Sequence, residues 1–595
     1  MSKKRFTSVA ALCLFFMIVI AACGGGGNEP AANNASSSGN TDAYDWSAKE
    51  RITISLAEQG GGPLDDEWGV AKDPVSLMLN EKFNIEMFLV DASDSGDYNT
   101  ARFAGMAAAG DLPDIFRVPD GQTLTLLMEA NSLLELSQYF SPELTPNILK
   151  DNQMKAAIMV HQKGNNWGDK VYNIPMSKGT HDAIGPLVGD YIRWDLYKEL
   201  GYPDVKSPDQ LIDVLKRMQD LRPENHEGRK AYAVSGWFGD GQGWGEWALM
   251  YYRGFNNGRG DLGPYPFLVS YNKETLELYP DNQMLSDDGN FWSTLYFFNQ
   301  AYQKGILDPE AFIQGYGEWE DKLKNGLTYH FIPGWVIGGI QNAFNELGYP
   351  EWGFGHTPGV NSDVQSLQNI MTGGERPLYV SAKTKDPERV MALLDYMSTY
   401  EFATIGFNGI PGVYWDYDQN GVPTPNADYW DKSIEDTEKK RNSGMRIYMH
   451  ATGWGNGSID PKTGVTVNLQ YHPLTLEADM SIVSKDVMQH YGGRSLMEAY
   501  SSQLKVYQTM NPYAAPTLPE ELLFDQSNML DYVFKNCFNV IRAESNAEFN
   551  QMKEQFREDL KQFKMDEMFN FIYDAVKDQE DFAKDVFNTW STPGS

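Results

Sequence analysis

Arg51-Ile-Thr-Ile-Ser-Leu56, Val75 to Phe83, Asn84-Ile-Glu-Met-Phe-Leu-Val90, Thr100 to Ala109 and Pro113-Asp-Ile-Phe-Arg-Val118 follow one another between residues 51 and 118, and their order decides the fold. The first, third and fifth segments are apolar at strand spacing; the second and fourth carry apolar residues at helical spacing. A Gly110-Asp111 break separates the last helix from the last strand. Strand, helix, strand, helix, strand implies βαβ units and a parallel sheet, hence an α/β protein. Ligands of such sheets bind beyond the carboxyl ends of the strands. The loops after residues 56, 90 and 117 are therefore the first places to look for a site.

Upstream of this run the chain reads as an address. Lys3, Lys4 and Arg5 precede a short apolar stretch from Ser8 to Ile20, which carries Cys13. Its length fits a secretory signal and is too short for a spanning helix. Ile20-Ala-Ala-Cys23 resembles the lipobox of bacterial lipoproteins, which implies cleavage after residue 22, a diacylglyceryl group on Cys23 and anchoring at the outer face of the cytoplasmic membrane. Gly24 to about Tyr44 is rich in Gly, Asn, Ala and Ser, the composition of a flexible tether. About 20 such residues reach roughly 25 Å. The sequence has no other run of 18 apolar residues, so the expectation is anchoring without a second span.

The whole chain has 595 residues, a length prior of roughly four domains. With 49 Lys+Arg against 81 Asp+Glu its net charge is −32, and losing residues 1–22 removes three cations and no acid, taking it to −35. Such acidity argues against a nucleic-acid partner. Of three cysteines one leaves with the signal, Cys23 is acylated and Cys537 falls in a helix-like apolar pattern as a core residue, so no disulfide framework is expected. Near the C-terminus Met552, Phe556, Leu560 and Phe563 recur at helical spacing through Met568 and Ile572, a helical packing layer. HExxH, Gly-x-Ser-x-Gly and Walker motifs are absent.

Several stretches together resemble the extracellular solute-binding proteins of ABC importers, most closely the large lipoprotein branch associated with sugars and oligosaccharides. Met106-Ala-Ala-Ala-Gly-Asp-Leu-Pro-Asp-Ile-Phe116 is similar to that family's turn into the third strand. Val171-Tyr-Asn-Ile-Pro175, with Tyr191 to Gly201 after it, is similar to the first interlobe crossing. Ala301-Tyr-Gln-Lys-Gly-Ile-Leu-Asp-Pro-Glu310 and Lys383-Thr-Lys-Asp-Pro-Glu388 match two further segments, while Ser207-Pro-Asp-Gln-Leu matches a helix start only loosely. The resemblance covers residues 50–400 and becomes general beyond about 430. It implies a two-lobed periplasmic-binding-protein-like fold of type II with extra C-terminal helices. The domains it implies are residues 1–22 as signal, 23–45 as lipidated tether, 46–175 plus 358–405 as the first lobe, and 176–357 plus 406–595 as the second.

The resemblance also ranks candidate ligand residues. Trp335 follows the Tyr329-His-Phe-Ile332 strand, where maltose-type binders place a stacking tryptophan; its competing role is a core tryptophan at a strand end. In Gly236-Trp-Phe-Gly-Asp-Gly-Gln-Gly-Trp-Gly-Glu-Trp247, five glycines flank aromatics, which suits a binding loop and suggests Trp237 and Trp244, with Trp247 starting a buried helix. Asp120 sits where the family often places a sugar-hydroxyl acceptor, with Arg117 beside it. Asp65, Asp66 and Trp68 follow the first strand, and Glu375, Arg376 and the Lys178 to His181 loop complete the set. Each of these also reads as a solvated loop residue.

Asp416, Asp418 and Asn420 imitate the start of an EF-hand loop, but its twelfth position is Ala427 where a bidentate Glu is needed, so an Asn-Gly hairpin is the better reading. Some relatives bind calcium after the Leu211–Arg217 helix; here that stretch is Arg222 to Lys230 and lacks the run of Asp and Asn. No cofactor is expected, calcium being weakly supported. The expected function is capture of a carbohydrate, an oligosaccharide, by a monomer that delivers it to ABC permease subunits, without catalysis. The competing expectations are an extracellular glycoside hydrolase, since paired carboxylates are available among 81 acids, and a sugar-sensing partner of a membrane kinase.

Overall fold

A computed structural model describes residues 44–592 except 59–61, 64–66, 92, 95–96, 99, 119–120, 179–187, 240–258, 263–268, 274, 288, 358–362, 366–376, 494–495, 502–504, 508–510 and 517. The expected signal and the expected tether as far as residue 43, with Cys23, lie outside the described residues. So do Asp66, Asp120, His181, Trp244, Glu375 and Arg376.

The opening run folds as its spacing dictates. Strand β1 (Ile52–Glu58) buries Ile54 and Leu56. A short β2 (Gly69–Val70) leads to helix α1 (Pro74–Phe83), whose cap Asp73 accepts from Ser76 N. The helix ends on Asn84 at φ 49°, in the left-handed region. Strand β3 (Ile85–Asp91) lies parallel to β1, Leu56 opposite Leu89. Helix α2 (Thr100–Ala109) and strand β4 (Ile115–Phe116) complete the unit, with Leu56 also paired in parallel to Ile115. Asp114 locks the turn before β4: Ser55 donates to its carboxylate through both backbone N (2.8 Å) and hydroxyl (2.7 Å). Strand β5 (Asn173–Ile174) ends the first passage through this lobe.

The chain then builds a second sheet from β6 (Val188–Arg193), β7 (His330–Pro333) and β8 (Phe354–His356), ordered β7-β6-β8 with both pairings antiparallel. It returns with β9 (Leu378–Val380), which pairs antiparallel between β4 and β5, giving a first sheet ordered β2-β3-β1-β4-β9-β5. Two of the sequence motifs meet here: Lys383 Nζ donates to Gly110 O at 2.8 Å. Asp386 then caps the helix Pro387–Met397, whose buried Arg389 donates to Glu50 O and Asn84 O.

Two large cores follow from this path. The first gathers β1, β3, α1 and the Pro387–Met397 helix; the second gathers residues 192–332 with the C-terminal helices from 483 onward. Phe402 and Ile405 pack in the first core, as do Trp415, Tyr448 and Leu469 from the stretch past 406 that was expected in the second lobe, while Ala403, Phe407, Trp454 and Val467 form a smaller cluster of their own. The first-core members of this stretch share that core with β1 and α1, which lie more than 300 residues earlier in the chain. The C-terminal helices Glu520–Ile541, Asn546–Leu560 and Met565–Val576 bury Cys537, Phe556, Leu560, Met568 and Ile572. Among the described residues no helix is long and apolar enough to cross a membrane.

Candidate functional site

All four residues of β7 are buried, and the strand runs straight into a single tight turn, Gly334–Val336. The turn follows Pro333, which removes a backbone donor and fixes the exit angle. Trp335 is thereby thrust outward: 45% of its surface is exposed, more than any other described tryptophan. Its indole N–H donates to Tyr316 Oη at 3.3 Å.

Tyr316 opens the helix Tyr316–Lys324 and is half-buried. Its ring lies 5.4 Å from Trp319 and 5.5 Å, edge-on, from Trp237; Trp237 and Trp319 are 4.3 Å apart. Burial pushes the Tyr316 hydroxyl pKa up, so it stays a neutral phenol able to hold Trp335. Beneath lie Tyr191, Phe331, Val336, Ile340 and Phe344. An exposed indole is thus held through Tyr316 against a packed aromatic cluster. Sugar C–H faces suit an exposed aromatic ring, their hydroxyls taking polar partners.

The other candidates separate by position. Trp237 is 4% exposed and serves as a floor beneath Tyr316, a correction to its reading as an exposed loop residue: its ring finds more apolar contact against Trp319 than the glycine-rich neighbours could deny it. Lys178 is 1% exposed; its Nζ donates to Gly453 O at 2.9 Å, pairs with Asp151 at 3.2 Å and lies 4.7 Å from the Trp454 ring centroid. Burial lowers its pKa against the opposing pull of Asp151. It is anchored inside the fold and turned away from solvent. Arg117 is half-buried directly beyond β4, at the carboxyl edge of the first sheet. Trp68 packs partly buried on the first core, over Gly62, where a Cβ would stand 2.5 Å from the indole ring.

Asp416 to Gly421 forms the tight end of a hairpin between Trp415–Tyr417 and Pro423–Pro425. Asp418 Oδ1 accepts from Asn420 N (2.8 Å) and Val422 N (2.9 Å), which holds its carboxyl below the usual range. The stretch 222–230 is likewise a hairpin turn, organised by Asn225 Oδ1, which accepts from Glu227 N and Arg229 N. Among the described residues no group of three or more His, Cys, Asp or Glu is placed to hold a metal ion.

Sequence reasoning missed Tyr316 and Trp319. Their i, i+3 spacing at the start of a helix is a signal, but only the contact with Trp335, 16 to 19 residues on, gives it meaning.

The fold, with two sheets in two cores, is similar to that of solved solute-binding proteins. Solved structures share it over nearly their whole length. One is an extracellular solute-binding protein from Bifidobacterium longum subsp. infantis: TM-score 0.61, 11% identity, 91% of this chain and 99% of that one. A second, from Bifidobacterium longum infantis, is described as an HMO-binding, ABC-transporter-associated solute-binding protein: TM-score 0.60, 12% identity, 92% and 100%. The Streptococcus pneumoniae ABC-transporter substrate-binding protein FusA, an EF-hand mutant in complex with fructo-nystose, gives TM-score 0.58 at 14% identity over 91% and 100%. No protein-family model and no curated protein matches the chain. The likeness is one of fold: a two-lobed α/β architecture of type II.

Proposed function

We propose that this chain is an exported, lipid-anchored binding protein that captures an oligosaccharide and delivers it to the permease of an ABC importer. The observation that carries the reading is Trp335, exposed at the end of a buried strand and backed by Tyr316, Trp319 and Trp237. The fold's likeness to proteins described as binding HMO and fructo-nystose supports a carbohydrate ligand. Affinity and lobe closure are the mechanism: closure expels water and strengthens each polar contact to the sugar's hydroxyls. The protein performs no chemistry on its ligand. A net charge of −32 favours neutral glycans over acidic ones.

The test is isothermal titration of the mature chain against a panel of neutral oligosaccharides, with Trp335→Ala beside it. Saturable binding weakened in the variant supports the proposal, as does intact ligand after prolonged incubation in a reducing-sugar assay. Saturation by a peptide or a metal with no glycan response overturns it. Retention of Cys23→Ala in the membrane fraction of producing cells would overturn the anchor.

A further inference from the structure

The helix Asn152–Gly164 is used on two sides. Met154 and Ile158 face the first core. Ala156, Met159 and Val160 instead meet the last helix, Glu580–Ser591, through Phe582, Val586, Phe587 and Trp590. Lys163 Nζ lies 5.8 Å from the Phe582 ring centroid, and Asn152 Nδ2 donates to Thr592 O at 3.2 Å.

That last helix belongs mechanically to the other lobe. Ala583 lies in the second core, and Phe587 packs on it. Just before the helix, buried Gln579 accepts from Ala514 N and donates to Ala514 O, both at 3.0 Å. Residue 514 in turn sits against the end of the first helix, 3.7 Å from where a Cβ on Gly164 would stand.

The other end of Asn152–Gly164 touches the crossing between lobes. Its cap, Asp151, accepts from Met154 N at 3.0 Å and pairs with Lys178 at 3.2 Å. Lys178 is the last described residue before the chain enters β6. The take-off strand is fastened to the first lobe by Ser177 N to Thr452 O (2.9 Å), Lys178 N to Gly453 O (2.8 Å) and Gly455 N to Lys178 O (2.6 Å).

We propose that Asn152–Gly164 is the pivot block of lobe movement, gripped at its cap by the crossing through Lys178 and along its flank by the C-terminal helix, which straps the second lobe to it. Packed helices hold discrete arrangements and do not shear continuously. Ala156, the buried small residue of the contact, packs in one cluster with Val586 and Trp590 of the last helix.

The test uses hydrogen–deuterium exchange of the full chain without ligand, so it is independent of the carbohydrate reading. Trp590→Ala is expected to speed exchange at the amides of Ser177, Lys178 and Gly455 by about tenfold, as well as within the last helix. Faster exchange confined to 580–591, with those three amides at the wild-type rate, overturns the proposal. Should Trp590→Ala fail to fold, the double variant Ala156→Cys with Val586→Cys carries the test. Its oxidised form is expected to slow exchange at the same amides, reversibly on reduction. No change on oxidation likewise overturns it.

Discussion

His356 provides the sharpest quantitative test of the second lobe. It ends β8, opposite Tyr191, and is 3% exposed. Its ring lies edge-on to Tyr191 and to Tyr500, each at 5.4 Å, and its Nε2 sits against Gly189, so close that no side chain fits there. Among the described residues Nδ1 has no hydrogen-bond partner. The groups that face it are Tyr191, Tyr491, Tyr500 and Asp190, whose carboxylate is engaged by His330 at 2.8 Å. Burial drives the imidazole pKa down to about 4, and Asp190 only partly opposes this. In the unfolded chain the value is near 6.5. Between these values the unfolded state binds more protons, so the stability this group contributes is complete above about 6.5 and is lost as pH falls toward 4. At about 1.36 kcal/mol per unit the loss is about 3 kcal/mol. His356→Gln removes the titration and leaves other groups in place. Urea unfolding from pH 7.5 to 4 should therefore show the wild type losing about 3 kcal/mol more than the variant. Ring-carbon NMR of labelled histidines, with the His356 signal identified by its absence in the variant, should give a midpoint near 4. A midpoint near 6.5, or parallel pH profiles for the two proteins, refutes the reasoning.

Asp395 should behave in the opposite sense. It is fully buried, accepts from Asn147 N, Asn147 Nδ2 and Ile148 N, and burial pushes its pKa up to about 6. Its stability contribution is present below about 4 and lost as pH rises through 6, about 3 kcal/mol relative to Asp395→Asn in the same urea series. Trp335→Ala should weaken glycan binding by about 2 kcal/mol, roughly thirtyfold in Kd by calorimetry, with little change in melting temperature because the side chain is half exposed. Trp237→Ala should do the reverse in kind, destabilising the second lobe by about 3–5 kcal/mol in thermal unfolding. Gly189→Ala should cost about 1–3 kcal/mol by the same measurement, because its Cβ would stand 2.2 Å from His356 Nε2.

The spacing of apolar residues between 51 and 118 determined the first lobe's βαβ order, since side-chain period is a local property that β1, α1, β3 and α2 express without help from distant segments. The Asn-Gly hairpin at 420–421 and the buried Cys537 were legible for the same reason. The position of Trp335 just past a strand was expected from the resemblance to maltose-type binders, and it does sit in the turn that follows His330–Pro333. What the sequence could not decide was which segment meets which. Trp237 and Trp335 share one glycine- and aromatic-rich character, yet one is a floor and the other a face; the difference is Trp319, which covers the first and leaves the second bare. Lys178 resembles a loop cation until Gly453, 275 residues later, accepts a hydrogen bond from it and Trp454 covers it. Phe402, Ile405, Trp415, Tyr448 and Leu469 joined the first core because burial selects complementary apolar faces whatever their distance along the chain. Local pattern fixed the elements; the desolvation of long-range contacts decided which side chains remained outside to meet a ligand.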